Sequence, residues 1–210
     1  MFRTVLSKNA QATLALLGKS GLVAGAYLAG GSALSLRFGH RYSIDFDFFS
    51  PKTFDPKKLI VSLKNIGEFT SDFAKGQSLI GEFNQVKFSY FFYDYPLIAK
   101  TTKFLGVDLA HPHDIAAMKL TAITDRGAKK DYIDLFELIH QDITLEKIFQ
   151  IYDQKYCLLS SNLFTLIKAV GYFDEAENTD MPQMIRSVSW DQIKIFLAQE
   201  SLRLARKHLA

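Results

Sequence analysis

Two aspartates separated by one residue are the feature of this sequence with the clearest chemical meaning. Asp45 and Asp47 lie within residues 43–49, an otherwise aromatic and aliphatic run that predicts a β-strand. Because side chains alternate across a strand, both carboxylates would project from one face. The opposite face would enter the core through three apolar side chains, Ile44, Phe46 and Phe48. Paired carboxylates on one face are suitable ligands for a hard divalent cation such as Mg²⁺.

A glycine pair followed by a serine precedes these aspartates. Gly30 and Gly31 would let the backbone approach a bulky ligand. Ser32 would begin a helix over residues 32–38, whose free amides favour an anion. A short buried strand over residues 22–29 would lead into this turn. Together with the aspartates, the pattern predicts a site for a metal and a nucleotide.

Short strands and helices surround these motifs in the first half of the chain. The spacing of apolar residues predicts helices over residues 5–17 and 56–65. Two or three strands follow between residues 69 and 93, with breaks at Gly76 and at residues 81–84. With the strands that flank the first motif, they predict a small mixed sheet.

The second half of the chain has the periodicity of helices. Asp114 is a predicted N-cap, and helical spacing continues almost to the C-terminus. Ser189 and Gln192 have the spacing of a capping box ahead of the last helix. The sequence therefore predicts an α+β protein, with an α/β domain over residues 1–112 and a helical domain over residues 113–210.

The composition is that of a soluble globular protein. A chain of 210 residues with 48% hydrophobic residues can bury a core, and no apolar stretch approaches the roughly 20 residues that cross a bilayer. The N-terminus has no signal-type apolar core, so we expect a cytoplasmic protein without a membrane partner. The net charge of +3 permits a polyanionic partner without demanding one. The single cysteine, Cys157, excludes an internal disulfide and is expected to be a small buried apolar residue.

The spacing from the glycine pair to the aspartates resembles the signature of the polymerase β-like nucleotidyltransferase superfamily. The resemblance implies that Gly30, Gly31 and Ser32 form a helix start that holds nucleotide phosphate. It also implies that Asp45 and Asp47 bind the metal, Mg²⁺ with Mn²⁺ as the second candidate. The implied fold is a polymerase β-like core with a small mixed sheet, followed by a helical C-terminal half that supplies the second wall of the active-site cleft.

The residues around the motifs narrow the resemblance to the AbiEii/AbiGii toxin branch. Residues 28–34 and 39–49 are similar to that branch, and residues 114–120 and 125–135 are similar to its downstream lysine and aspartate motifs. The branch implies the toxin of a toxin-antitoxin or phage-defence system, with a cognate antitoxin as a partner. It further implies a nucleoside triphosphate as donor and an RNA acceptor, with tRNA as the first candidate.

From the residues alone, the downstream motifs allow two interpretations. Lys119 and Arg126 would share one face of a helix that Gly127 ends, a pair of cations suited to a triphosphate. Asp131 and Asp134 would be neighbours on the next helix. The same residues are also typical of a solvated surface, where each exposed ion pair contributes about 0 to 1 kcal/mol. The resemblance favours a catalytic role for Lys119 and Asp131 and a nucleotide contact for Lys119 and Arg126.

Arg41 and an aromatic run are further candidates. The Arg41 guanidinium, in the connector before the aspartates, would suit a nucleotide phosphate, although a loop arginine is as often simply exposed. The aromatic residues between positions 88 and 95 would suit base stacking, but such runs more often form strand and core. His111 and His113 lack ligand spacing, so a zinc site is not expected.

One departure from the superfamily pattern affects the mechanism. Many members carry a third carboxylate on the strand after the aspartate pair, whereas the matching strand here, residues 85–91, holds no acid. The third role would then be absent, filled by solvent, or supplied by Asp131 or Asp108.

The leading hypothesis is a Mg²⁺-dependent nucleotidyltransferase that releases pyrophosphate. Asp45 and Asp47 would hold the metal, Ser32 and the neighbouring amides would hold the terminal phosphates, and Lys119 would neutralise charge at the α-phosphorus. The alternatives are a nucleotide-binding module without transfer activity, and a nucleotidyltransferase that modifies a small molecule or a protein.

Overall fold

A mixed sheet of seven strands organises Met1–His111, the first of two units into which the described part of the chain, residues 1–208 of a computed structural model, divides. In chain order the strands are β1 (Tyr27–Ala29), β2 (Phe46–Ser50), β3 (Phe69–Lys75), β4 (Ser78–Phe83), β5 (Val86–Phe92), β6 (Thr102–Phe104) and β7 (Val107–Leu109). Across the sheet their order is β3-β4-β5-β2-β1-β7-β6. Strand β2 runs parallel to β5 and antiparallel to β1, and β1 is parallel to β7. The predicted mixed sheet is confirmed.

The helices of this unit begin and end at residues with clear local causes. They are a 3-10 turn (Arg3–Val5), α1 (Lys8–Ser20), α2 (Gly30–Phe38) and α3 (Pro56–Ile66). Asp55 caps α3 by accepting a hydrogen bond from the Lys57 amide at 2.9 Å, and Pro56 occupies the first helical position, where a missing N–H costs nothing. Gly21, in the left-handed conformation, ends α1.

One face of the sheet forms the hydrophobic core. Phe46 and Phe48 of β2 and Phe88 and Tyr90 of β5 are buried, and the Phe48 and Phe88 rings lie 5.6 Å apart. This part of the aromatic run is therefore core, as the more common interpretation predicted. Buried leucines of the helices join the core: Leu14, Leu17, Leu34, Leu36 and Leu63.

Three local predictions are wrong. Ile44 is 58% exposed because β2 begins only at Phe46 and the preceding segment does not continue its alternation. Residues 22–25 form turns instead of strand, since Gly25 has a positive φ that a strand does not adopt. Gly81 lies inside β4 and not in a turn. A side chain at this position would collide with the Thr70 carbonyl of β3, so glycine is needed for the close approach of the two strands.

The second unit begins at Pro112 and is helical over the part that the structure describes. Its helices are α4 (Pro112–Asp125), α5 (Lys129–His140), α6 (Leu145–Tyr156), α7 (Leu159–Val170), α8 (Asp174–Glu177) and α9 (Trp190–His208). The capping box is confirmed, because the Ser189 amide donates to Gln192 Oε1 at 2.9 Å and the Gln192 amide donates to Ser189 Oγ at 3.2 Å. Gly127, with φ of +52°, follows the end of α4 as predicted. No helix within residues 1–208 is long and apolar enough to cross a membrane.

A buried ion pair joins two helices of this unit. Asp114 does not cap α4, because the helix already begins at Pro112, and its fully buried carboxylate accepts a hydrogen bond from Lys155 Nζ at 2.8 Å. Cys157 is exposed, contrary to expectation, because it is the left-handed residue that ends α6. Lys155, two residues before Cys157, is buried, and its ammonium contacts Asp114.

Replacing one member of this pair is expected to destabilise the protein more than replacing both. Lys155→Met would leave the Asp114 carboxylate buried without its cation and should lower the free energy of unfolding by about 3–5 kcal/mol. The double variant Asp114→Leu/Lys155→Met removes both charges and should recover most of that loss. Urea unfolding curves of the parent and both variants measure the difference. Equal stability of the parent and Lys155→Met would contradict the assignment.

Candidate functional site

Asp47 lies on the open face of the sheet, and Asp45 lies immediately before the same strand. Asp47 is the second residue of β2, Asp45 precedes the strand, and both side chains are half-buried, whereas Phe46 between them is fully buried. The strand register aligns Asp47 with Ala29 of β1 and with Ser89 of β5. Small side chains on both neighbouring strands leave space around the Asp47 carboxylate. The alternation is confirmed from Phe46 onward, whereas Asp45 precedes the strand and its placement on the same face as Asp47 stays a prediction.

Ser32 connects α2 to the segment that carries the aspartates. Its hydroxyl donates a hydrogen bond to the Asp45 carbonyl oxygen at 2.5 Å, and Ser43 Oγ lies 2.9 Å away. Ser32 is only 1% exposed, so this contact lies inside the protein. The hydroxyl therefore fixes the backbone at Asp45, and the phosphate contact expected of Ser32 stays a prediction.

The two glycines are required by close approach of charged side chains. Gly30 has φ of +66°, and a Cβ there would lie 3.0 Å from Asp47 Oδ2. A Cβ on Gly31 would collide with the Arg41 guanidinium. Helix α2 begins at Gly30, two residues before the start that the sequence predicted at Ser32. The first turn of α2 therefore lies against a carboxylate and a guanidinium of its own unit.

Arg41 is buried and not an exposed loop residue. It is 4% exposed, and its Nη1 donates to the Tyr42 carbonyl oxygen at 3.1 Å. A guanidinium beside the amino end of a helix combines two sources of positive potential. The contact with Gly31 thus places Arg41 where an anion held by the helix amides would experience its charge.

The carboxylates of Asp45 and Asp47 fit a Mg²⁺ ion. Magnesium is usually bound by one or two carboxylates and keeps its remaining positions for water and substrate phosphates. Within residues 1–208 no group of three or more histidine, cysteine or acidic side chains is arranged to hold a metal. A pair of carboxylates, and not a larger cluster, matches a metal whose remaining positions are taken by water and a phosphate ligand.

A third carboxylate does not complete this pair from the sheet. Ser89 occupies the position in register with Asp47 on β5, as the sequence predicted for the strand without an acid. Asp108 lies on the same face but on β7, two strands from β2 and so about 10 Å away. It accepts hydrogen bonds from Thr101 Oγ1 at 3.1 Å and from Lys103 Nζ at 3.0 Å. Asp108 thus has polar partners within its own hairpin, and its role as the third carboxylate stays a prediction.

The second group of candidate residues forms a buried network in the helical unit. Lys119 Nζ lies 2.8 Å from Asp131 Oδ1 and 2.6 Å from Asp134 Oδ2, and both carboxylates are fully buried. Arg126 donates to Asp131 through Nε at 2.9 Å and Nη2 at 3.1 Å. Lys119 and Arg126 both contact Asp131, although Arg126 follows the last residue of α4. The solvated-surface interpretation is wrong for both aspartates, which are fully buried.

The charges of this network set the pKa of Asp131. Burial raises the pKa of this carboxyl group, but the neighbouring Lys119 and Arg126 more than offset burial and hold it below its ordinary value. Asp131 therefore stays ionised in the folded protein at neutral pH. A buried carboxyl group whose pKa is shifted by specific charged partners is more typical of functional sites than of ordinary surfaces.

Each unit thus brings together its own candidates. The first unit assembles Gly30, Gly31, Ser32, Arg41, Asp45 and Asp47, and the second assembles Lys119, Arg126, Asp131 and Asp134. Sequence reasoning missed Ser43, whose hydroxyl lies beside Ser32, and Lys87, which is exposed on the same face of β5 as Ser89. The alternation of residues 86–92 was the signal that could have identified Lys87.

Comparisons with known proteins find a matching family model and a relative of similar length. Residues 14–103 and 86–208 match the family described as "Nucleotidyl transferase AbiEii toxin, Type IV TA system". The uncharacterized protein aq_aa25 of Aquifex aeolicus is 31% identical over 200 residues, which cover 93% of this chain and 95% of that protein.

Two solved structures share the fold. JHP933 from Helicobacter pylori has a TM-score of 0.55 at 18% identity, covering 96% of this chain and 94% of that one. The nucleotidyltransferase toxin MenT4 from Mycobacterium tuberculosis has a TM-score of 0.54 at 14% identity, covering 95% of this chain and 86% of that one. The predicted fold class, an α+β nucleotidyltransferase core followed by helices, is confirmed.

Adding a carboxylate at Ser89 is expected to strengthen divalent-cation binding. Ser89→Asp places a third acid in register with Asp47 on the adjacent parallel strand, and an extra anionic ligand should tighten Mn²⁺ binding by about tenfold, or about 1.4 kcal/mol. Ser78→Asp, two strands from β2 on β4, is the matched control and should leave affinity unchanged. Calorimetric titration with Mn²⁺ makes the comparison. Unchanged affinity of Ser89→Asp would place the metal elsewhere.

Removing the cation of the buried network is expected to destabilise the helical unit. Lys119→Met leaves Asp131 and Asp134 buried without their shared ammonium and should cost about 3–5 kcal/mol in the free energy of unfolding. Lys147→Met, at an exposed position of α6, should change stability by no more than about 0.5 kcal/mol. Urea unfolding followed by circular dichroism measures both. A Lys119→Met protein as stable as the Lys147→Met control would show that Lys119 does not form these ion pairs with Asp131 and Asp134 in solution.

Proposed function

Because the chain belongs to the AbiEii nucleotidyltransferase toxin family, we propose that it transfers a nucleotide from a nucleoside triphosphate to an acceptor hydroxyl on RNA in a Mg²⁺-dependent reaction. The observation that supports this proposal is the position of Asp47 on the open sheet face and of Asp45 immediately before that strand, both beside the amino end of α2. The sequence resemblance favours tRNA as the acceptor. Family membership also makes a cognate antitoxin the expected partner, and phage defence and a cytoplasmic location stay predictions.

The residues of the first unit have distinct roles in this proposal. Asp45 and Asp47 would hold a Mg²⁺ ion, which would supply positive charge for displacement at the α-phosphorus. The amides of Gly31 and Ser32 at the start of α2 bind the terminal phosphates, and the Arg41 guanidinium adds positive charge beside them. The acceptor hydroxyl attacks the α-phosphorus in line, and pyrophosphate leaves.

Lys119 and Asp131 have a second, separate part in the proposal. The resemblance assigns them to catalysis and Arg126 to the nucleotide, and their buried charges are consistent with an assembled functional group. Asp134 shares the Lys119 ammonium with Asp131 and is a positioning residue for it. Their participation in the same reaction as Asp45 and Asp47 stays a prediction.

A nucleotide-binding module without transfer activity is the second candidate function. Ser89 at the position of the missing third acid is the observation that favours it. This alternative requires Mg²⁺-dependent nucleotide binding without release of pyrophosphate. Steady release of pyrophosphate by the purified protein eliminates it.

Loss of either metal carboxylate is expected to abolish transfer. Parent protein incubated with α-labelled nucleoside triphosphate, Mg²⁺ and cellular RNA should label the RNA, and Asp45→Asn or Asp47→Asn should reduce labelling by about 100-fold or more, the scale on which lost electrostatic stabilisation acts. Asp180→Asn makes the same chemical change at an exposed position and is the matched control.

The distribution of the label separates the acceptor classes. Label that nuclease digestion releases identifies RNA as the acceptor, whereas label that stays with protein or small molecules identifies the other acceptors. If Asp45→Asn labels RNA as well as the parent does, the site assignment is wrong.

A further inference from the structure

The open face of the sheet continues from Asp47 into a row of apolar side chains that face solvent. The register aligns Asp47 of β2 with Ser89 of β5, Ser89 with Ile80 of β4, and Ile80 with Phe73 of β3. Residues paired in this way project from the same face of a sheet. Ile80 is 37% exposed and Phe73 is 47% exposed. The row crosses three gaps between strands, so it extends about 15 Å from Asp47.

Lysines lie in the rows on both sides of this apolar row. Lys87 precedes Ser89 by two residues on β5, so it shares the same face, and it is exposed. Lys75 ends β3 and is exposed in register with Ser78, which pairs with Phe91 of β5. Glu82, which pairs with Lys87 across β4 and β5, is the acid of this part of the face.

The apolar residues of this row are not explained by the core. The solvent face of an antiparallel hairpin ordinarily carries polar side chains, and an isolated exposed apolar residue needs no explanation. Here two large ones are adjacent to each other and in register with the candidate metal carboxylate. Apolar and aromatic side chains on an open sheet, with cations along their flanks, are the features by which proteins bind unpaired bases and the phosphates that join them.

We propose that Phe73, Ile80, Lys75 and Lys87, the hairpin platform, bind the single-stranded end of the nucleic-acid acceptor. Unpaired bases contact Phe73 and Ile80, the backbone phosphates lie along Lys75 and Lys87, and the terminal hydroxyl reaches Asp47. A duplex is a poor fit because its bases are stacked on one another and cannot spread over apolar side chains. The inference rests on the proposed function and names the form of acceptor that the site accepts.

Binding to a labelled RNA tests the platform without any transfer reaction. Fluorescence anisotropy is measured with a short single-stranded oligoribonucleotide and with a blunt duplex of the same sequence, in the absence of nucleoside triphosphate. The parent should bind the single strand more tightly than the duplex. Phe73→Ala should weaken binding by about fivefold or more, and Phe73→Tyr should retain it. Lys75→Gln/Lys87→Gln should weaken binding and reduce its salt dependence.

Exposed residues of α3 supply the matched controls. Val61→Ala truncates an exposed apolar side chain, and Lys64→Gln removes an exposed cation. Neither residue belongs to the strands that form the platform, so both variants should bind RNA as the parent does. Circular dichroism spectra verify that each variant is folded.

Two outcomes overturn the inference. One is unchanged RNA affinity in Phe73→Ala and in the double lysine variant. The other is loss of binding to an antitoxin protein by these variants while their RNA affinity is unchanged, which would make the platform a protein interface. Failure of the proposed function is distinguishable, because a parent protein that binds the single strand through the platform but labels no RNA contradicts transfer and leaves the binding site standing.

Discussion

The hydrogen bond from the Ser32 hydroxyl to the Asp45 carbonyl oxygen is the contact on which the candidate site depends most. It joins the first turn of α2 to the backbone immediately before β2. The amino end of α2 supplies positive potential for an anion, and Asp45 and Asp47 supply carboxylates for a cation. The hydrogen bond therefore fixes the distance between the anion position and the cation position. Because Ser32 is buried, the bond is protected from competition with water.

The glycine pair satisfies the same geometric constraint. A side chain on Gly30 would press on the Asp47 carboxylate, and one on Gly31 would displace the Arg41 guanidinium. Glycine is therefore needed because opposite charges approach the same turn from two sides. The sequence alone suggested that the two glycines let the backbone approach a ligand. The structure shows that Asp47 and Arg41 themselves pack against the first turn of α2.

The buried charges of the helical unit are costly and therefore informative. Removing Lys119, Asp131 and Asp134 from water is unfavourable. A protein with apolar side chains of similar size in place of such buried charges is commonly at least as stable as the original. Asp114 and Lys155 show that one buried pair in this unit fastens two helices. The larger network also reaches the partly exposed Arg126. A role of this network in the reaction stays a prediction.

Much of the fold and of the first site could be predicted because the controlling patterns are local. Period-two alternation correctly placed Phe46 in the core and Asp47 on the opposite face, and the spacing of Ser189 and Gln192 gave the cap of the last helix. The errors arose where contacts distant in sequence decide the conformation. Asp114 is held by Lys155, 41 positions away, so a local capping rule could not identify its partner. Likewise, the row from Asp47 to Phe73 depends on strand order, which no local pattern contains.

The central claim is that Asp45 and Asp47 hold the metal of a nucleotidyl-transfer site. The most direct measurement is anomalous diffraction from crystals of the protein grown with Mn²⁺ and a non-hydrolysable nucleoside triphosphate. The predicted result is a single Mn²⁺ peak between the two carboxylates, with the triphosphate extending toward the amides of Gly31 and Ser32. A Mn²⁺ peak at any other set of side chains, with Asp45 and Asp47 making no contact to metal, would contradict the account.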